Sequence, residues 1–356
     1  MKTFQRLLLS AGAAIMLMPP ISAAAVGDVP SIVGEVPNFD VAVNAPPQVV
    51  FIGDSITAGY GLEGYMPDDM SNCDSFANLL ALEFKAELPE QADFCYFNEG
   101  RDGRTSAGML KLLQSGKIDD ELKAADAVVV SVGGNDMLDT FLDIFNRDNS
   151  MREIIEKALS LSDDLDSDLE GFAQNMPLIA EELDKRTDGI IFVQTLYNPM
   201  EATPIKIINN MSAEKIGRLN EIIAECSENG SKYKLCDVSS EFVGRASELT
   251  NIDDYDIHPN AAGHRVIAEL MSRVLHAETY YYHDYEAERE YLLEQERLAA
   301  EQERLEAMKR EQEEIETARR EQSRKTRAAA AAGCGVMLVL GALLIRRGKQ
   351  DGGSAE

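Results

Sequence analysis

The strongest constraint on this chain is a repeated alternation of pattern. From residue 48 onward, short runs rich in apolar and β-branched residues occur at Gln48 to Ile52, Phe94 to Phe97, Ala127 to Val132, Gly189 to Thr195 and Tyr233 to Val238, separated by longer amphipathic stretches. A chain satisfies that alternation by laying the runs side by side as parallel strands and returning between them through helices that cover both faces of the sheet. The runs are continuously apolar, as strands buried on both faces require. Candidate helices are Ser75 to Leu88, a region within Met151 to Arg186, Ala213 to Glu228 and Ala261 to Leu275. The expectation is one doubly wound α/β domain over residues 48–282, with its ligand site beyond the carboxyl ends of the strands.

Both ends of the chain carry a different signal. Lys2 and Arg6 precede an apolar run from Leu7 to Met18, then Pro19-Pro20 and the small residues Ser22 to Ala25. That order predicts a secretory signal over residues 1–25, cleaved after Ala23-x-Ala25, with a linker over residues 26–47. Ala328 to Ile345 is uncharged, is flanked by Lys325, Arg327, Arg346, Arg347 and Lys349, and is about long enough to cross a bilayer. It is expected to be a transmembrane helix, with residues 346–356 as a cytoplasmic tail. Residues 283–327 hold neither Gly nor Pro and are rich in Glu, Arg, Gln and Ala, which predicts one long charged helix. Glu306 with Arg310, Glu316 with Arg320 and Glu321 with Lys325 stand four apart and support it. A heptad frame with Tyr291, Leu298 and Leu305 at one core position and Met308 and Ile315 at the other fills only half its sites. The segment therefore reads first as a rigid stalk, and second as a weak coiled coil offering self-association. The resulting topology is single-pass in the cell membrane, with the domain extracellular.

Residues 26–283 contain 46 Asp plus Glu against 19 Lys plus Arg, so 19 − 46 = −27 of the chain's net −28 sits there. Nucleic acid is not expected as a partner, because such binding depends on Lys and Arg neutralising phosphates. Of the five cysteines, Cys334 lies in the expected span, which leaves Cys73, Cys95, Cys226 and Cys236 as an even set. Proximity in sequence favours the pairs Cys73 with Cys95 and Cys226 with Cys236, with buried free thiols as the alternative. Neither Cys-x-x-Cys nor His-Glu-x-x-His spacing occurs, so no metal and no cofactor is expected.

Four blocks carry the chemistry. Gly53-Asp54-Ser55 directly follows the first predicted strand and sets a serine on a tight turn, with Gly53 letting the backbone bend. Asp54 is expected to order that turn. Asn98-Glu99-Gly100-Arg101-Asp102-Gly103-Arg104-Thr105 follows the second strand, and Gly133-Gly134-Asn135-Asp136 the third. A glycine admits substrate close to a backbone amide, and an asparagine adds a side-chain N–H, so these turns could supply donors to a developing oxyanion. Asp256-Ile257-His258-Pro259 comes just before the last helix of the domain, where Pro259 can open the helix and fix the imidazole at its entrance. A neutral histidine there can take a proton from the serine and return it to the leaving group.

These blocks, in this order, resemble the SGNH (GDSL-like) hydrolase family, named for Ser, Gly, Asn and His in successive blocks. The resemblance implies a flavodoxin-like three-layer sandwich, Ser55 as nucleophile, His258 as general base, and an oxyanion hole from the Ser55 amide, Gly103 and Asn135. The family usually carries Asp three residues before the histidine, where this chain has Tyr255. Asp256 is the expected partner of His258, with Asp254 or a backbone carbonyl as alternatives. The implied activity is hydrolysis of acyl esters, O-acetyl groups of glycans among them. Lipase, lysophospholipase or thioesterase action is the enzymatic alternative, and a surface scaffold or interaction module the non-enzymatic one. The segment Gly61 to Asn72 is expected to overhang the serine and shape the acyl pocket.

Overall fold

The computed structural model describes residues 36–144, 149–228 and 232–350. The signal over residues 1–25 lies outside the described residues. Two compact units are present, one from Asn38 to Glu286 and one containing residues 287–350.

In the first unit the elements run β1 (Asp40–Val43), β2 (Gln48–Gly53), α1 (Ser55–Ala58), α2 (Phe76–Glu87), β3 (Cys95–Gly100), α3 (Ser106–Gln114), α4 (Asp119–Ala124), β4 (Ala127–Val130) and α5 (Gly134–Ile144). They continue with α6 (Met151–Ser160), α7 (Ser162–Asp184), β5 (Ile190–Gln194), α8 (Lys206–Glu228), β6 (Tyr233–Cys236), α9 (Val238–Phe242), α10 (Ala246–Leu249), α11 (Ala261–Leu275) and β7 (Tyr280–His283). Each of the five apolar runs is a strand. All pair in parallel, in the order β3-β2-β4-β5-β6. Counted from β2, this is the flavodoxin-like order, whose switch point lies beside the first strand. The turns after β2, β3 and β4 therefore meet at one place, the carboxyl edge where ligands bind such sheets.

Helices cover both faces. Val50, Ile52, Val128 and Val130 face a core shared with Met109, Leu113, Phe172 and Leu219, while Val49, Phe51, Ala127 and Val129 face one shared with Phe76, Leu80, Phe84 and Met271. The period-2 division of each strand between two dry layers explains why the strands read as unbroken apolar runs.

Two features were not legible beforehand. Asp40–Val43, in the stretch read as linker, pairs antiparallel with Tyr280–His283, joining residues some 240 apart. The cysteine pairings do not occur, and Cys73, Cys95, Cys226, Cys236 and Cys334 are all free thiols. Closeness in sequence says nothing about direction: Cys73 is buried beside the Ala58 carbonyl, whereas Cys95 opens the edge strand β3 and is exposed.

In the second unit a single helix, α12 (Tyr285–Gln350), carries the charged segment and the apolar one without interruption. Arg310 pairs with Glu306 at 3.1 Å and Arg320 with Glu316 at 3.5 Å. Helix α12 contains an apolar stretch long enough to cross a membrane.

Candidate active site

Ser55 is the first residue of α1, at the carboxyl end of the buried strand β2. The N-cap of this short helix is Asp54, whose carboxylate accepts from the Ile56 N–H at 3.0 Å, and this frees the serine hydroxyl from capping. Asp54 is 2% exposed, and burial pushes its carboxyl up to about 6 against that hydrogen bond. Gly53 does not serve as a bend, because its φ is not positive. A Cβ there would stand 1.9 Å from Thr57 Oγ1, so glycine is required for the close approach of α1 to the strand.

Ser55 Oγ lies 2.8 Å from His258 Nε2, and His258 Nδ1 lies 2.5 Å from Asp256 Oδ1. Three residues are thus in line, with Asp256 and not Asp254 behind the imidazole. Asp256 also accepts the His258 backbone N–H at 3.1 Å. Burial pushes the Asp256 carboxyl up, but its hydrogen bonds from His258 outweigh that and hold it below the ordinary carboxylate range. The departure from the family spacing has a local cause. Tyr255 caps the 3₁₀ turn Ile252–Asp254 in the left-handed region, φ 65° and ψ 28°, and is 72% exposed. Its left-handed turn points its own side chain outward and brings Asp256 to the ring.

The loop that carries His258 is fastened from several sides. Tyr197, buried and stacked on Phe242 at 4.5 Å, donates its hydroxyl to the Ile257 carbonyl at 2.8 Å. Asn251 N–H donates to the His258 carbonyl at 2.9 Å. Pro259 lies outside the helix, in an antiparallel bridge with Thr250. Asn260 is the N-cap of α11, accepting from Ala262 and Gly263 N–H groups at 2.9 and 3.0 Å, and it supplies the anchor that proline was expected to provide.

The turn after β3 holds Gly103 at φ +70°, with open space where a Cβ would lie, so a side chain there would strain the backbone without meeting a wall. Arg104 is buried. Its guanidinium donates to the Gly53 carbonyl at 3.3 Å, to the Glu99 carbonyl, and to Glu99 Oε1 at 2.9 Å, which ties the second block to the first. Asn135, on the first turn of α5, donates from Nδ2 to the Arg104 carbonyl at 3.2 Å. Below it, Asp136 accepts from the Ser106 N–H at 2.9 Å and from its hydroxyl, and Asn175 Nδ2 donates to Ser106 Oγ at 2.8 Å. This network fixes α3, α5 and α7 against one another under the site. Arg104, Tyr197 and Tyr60, whose ring sits 4.6 Å from that of His258, were not singled out as site residues from sequence. A buried arginine or tyrosine signals a role only once its neighbours are known.

A narrow apolar cleft opens beside Ser55 and His258. Its walls are Met137, Leu138 and Phe141 of α5, Leu196, Tyr197, Pro199 and Met200 after β5, Ile216 of α8 and Ile257. The segment Gly61 to Asn72, expected to shape the acyl pocket, does not line this cleft. Its own neighbours include Asp256, beside Gly61, and Asp102, which accepts from the Tyr65 hydroxyl. Elsewhere, Glu83, Glu87 and His276 bring one candidate ligand atom each within 4.8 Å of one another between α2 and α11, where Glu87 already contacts His276 and Glu83 accepts from Ser272.

The GDSL-like Lipase/Acylhydrolase family model matches residues 51–266. The spore germination lipase LipC of Bacillus licheniformis is 25% identical over 225 residues, 63% of this chain and 94% of that protein. Among solved structures, phospholipase A1 from Streptomyces albidoflavus NA297 aligns with TM-score 0.49 and 17% identity, covering 65% of this chain and 99% of that one. A catalytic mutant of the acetylxylan esterase Axe2 from Geobacillus stearothermophilus aligns with TM-score 0.45 and 18% identity, covering 65% and 95%.

Proposed function

The chain belongs to the GDSL-like lipase/acylhydrolase family and is an ester-hydrolysing serine hydrolase; from that premise we propose that Ser55, His258 and Asp256 act as its triad on esters whose acyl chain lies in the apolar cleft. His258 Nε2 takes the Ser55 proton as Oγ attacks the ester carbonyl. The developing oxyanion is met by the amides of Ser55 and Gly103 and by Asn135 Nδ2. One Asn135 N–H is held by the Arg104 carbonyl, which fixes the amide plane and leaves the second to the oxyanion. Collapse expels the alcohol with the proton from His258, and water then repeats the sequence on the acyl-enzyme.

The observation that carries the substrate reading is the lining of the cleft. Met137, Leu138, Phe141, Leu196, Met200, Ile216 and Ile257 make the cleft beside Ser55 predominantly apolar, and each methylene of an acyl chain buried there adds about 0.8 kcal/mol. A lipid-type acyl ester therefore fits better than an O-acetyl glycan, and the similarity to a protein described as a lipase points the same way. In a nitrophenyl ester series from acetyl to decanoyl, kcat/KM should rise up to about 15-fold for every two methylenes until the cleft is filled. Leu138→Trp should move the optimum to shorter chains. A maximum at acetyl, unmoved by Leu138→Trp, would instead favour glycan deacetylation.

We further infer that the apolar part of α12 anchors the chain with the hydrolase unit outside the cell. The length and hydropathy of that helix support it, as does the secretory pattern of residues 1–25. Protease added to intact cells should release the unit between residues 287 and 327, and its protection there would reverse the orientation.

A further inference from the structure

The loop that leaves α1 reaches the Ser55 carbonyl, Asp256, His258 and the turn before Gly103. It starts with Gly59 and Tyr60 N–H groups both donating to the Ser55 carbonyl at 3.0 Å. It passes Asp256, whose Oδ2 would stand 3.4 Å from a Cβ on Gly61. The Tyr60 ring lies 4.6 Å from the His258 imidazole, tilted by 45°, and meets the Tyr65 ring edge-on at 5.7 Å. Tyr65 then donates its hydroxyl to Asp102 Oδ2 at 2.6 Å. Asp102 is the residue before Gly103.

We propose that Tyr65 is a positioning residue: its hydrogen bond to Asp102 fixes the turn that presents the Gly103 amide, through a loop whose other aromatic ring seats His258. This rests on Gly103 acting as an oxyanion donor. The three proposed donors are unequally supported. The Ser55 amide belongs to a helix packed against the sheet, and Asn135 is held by the Arg104 carbonyl. Gly103 sits between Arg101, whose N–H donates to the Gly53 carbonyl at 3.0 Å, and the buried Arg104; the exposed tip between them is closed by Arg104 N–H to the Arg101 carbonyl at 3.2 Å, with nothing within 4 Å of the Gly103 Cβ position. Among the described residues, Tyr65 is the one side chain bonded to the carboxylate of that turn. Burial and the facing Asp102 carboxylate push the Tyr65 phenol up, so it remains a donor throughout the range in which the enzyme works. A donor displaced by about 1 Å can lose up to 100-fold in rate, so a tether of this kind acts on kcat and not on ground-state binding.

The test is steady-state kinetics on the full chain with the best nitrophenyl ester. Tyr65→Phe should lower kcat about tenfold with KM and Tm unchanged. Asp102→Asn, whose amide oxygen still accepts, should retain the wild-type kcat, while Asp102→Leu should reproduce Tyr65→Phe. The double variant Tyr65→Phe/Asp102→Leu should be no slower than either single one. An alkyl boronic acid that forms a tetrahedral adduct on Ser55 should bind about tenfold more weakly to Tyr65→Phe, and the product carboxylate should bind equally to both. An unchanged kcat in Tyr65→Phe, a loss that follows Tm or KM, or additive losses in the double variant would overturn the proposal alone. Absence of serine-dependent turnover in the wild type would remove the hydrolase reading of the site and this proposal with it.

Discussion

Ser55→Ala should reduce ester turnover by about four to six orders of magnitude, leaving only what substrate binding and the oxyanion donors contribute over water. In barrier terms this is a loss on the order of 5 to 8 kcal/mol. The size follows from geometry. Ser55 Oγ stands 2.8 Å from His258 Nε2 and is 6% exposed, so no water can take its place as an equally positioned nucleophile while the side chain is present. The hydroxyl makes no capping bond, because Asp54 fills that role, and its removal should leave the fold and Tm within experimental error. Nitrophenol release measured beside covalent labelling by a fluorophosphonate gives a direct reading. A variant that keeps more than a tenth of the activity would mean that another group attacks the ester.

The second large effect is expected at Asp256. Asp256→Asn should lower kcat by about three to four orders of magnitude with KM little changed, and Asp254→Asn should stay within about twofold of wild type. Asp256 Oδ1 accepts from His258 Nδ1, which holds the ring as the tautomer whose Nε2 lone pair faces Ser55. That same Oδ1 accepts from the His258 backbone N–H, so an asparagine oxygen can hold the tautomer, and what Asn removes is the negative charge that stabilises the imidazolium formed as the serine attacks. Asp256→Ala should be at least as slow and also lose the bonds to the His258 ring and backbone N–H, which makes Asn the cleaner probe of the charge. Asp254 lies on the exposed side of the turn. A larger fall in Asp254→Asn than in Asp256→Asn would assign the orienting role to the wrong carboxylate and overturn the reading of Tyr255 as the residue that turns the chain.

The two variants also show where sequence reasoning reached its limit. The serine, glycine, asparagine and histidine blocks were legible because each sits within a few residues of a strand or helix end, and turn chemistry is local. The carboxylate was harder. Asp254 and Asp256 both lie within four residues of His258, and the choice between them depends on the backbone at Tyr255, where φ of 65° is uncommon for a residue with a side chain. The lining of the cleft beside Ser55 was not legible for a similar reason. The Gly61 to Asn72 segment follows the nucleophile in sequence, but the walls beside Ser55 come from α5, α8 and the turn after β5, elements brought there by the parallel order of the sheet.

By itself the sequence determined the parallel α/β architecture, the long C-terminal helix with its apolar segment, and the strand ends that carry the reactive groups. Apolar periodicity and turn-forming residues act over a few positions and are written in neighbours along the chain. Tertiary structure alone decided which carboxylate stands behind His258, that all five cysteines remain thiols, which residues line the cleft, and that Tyr65 reaches the turn before Gly103. Each of these depends on the direction of a side chain relative to a partner on another element. A hydrogen bond or a cavity wall fixes that direction to within a fraction of an ångström, and residue order does not encode it locally.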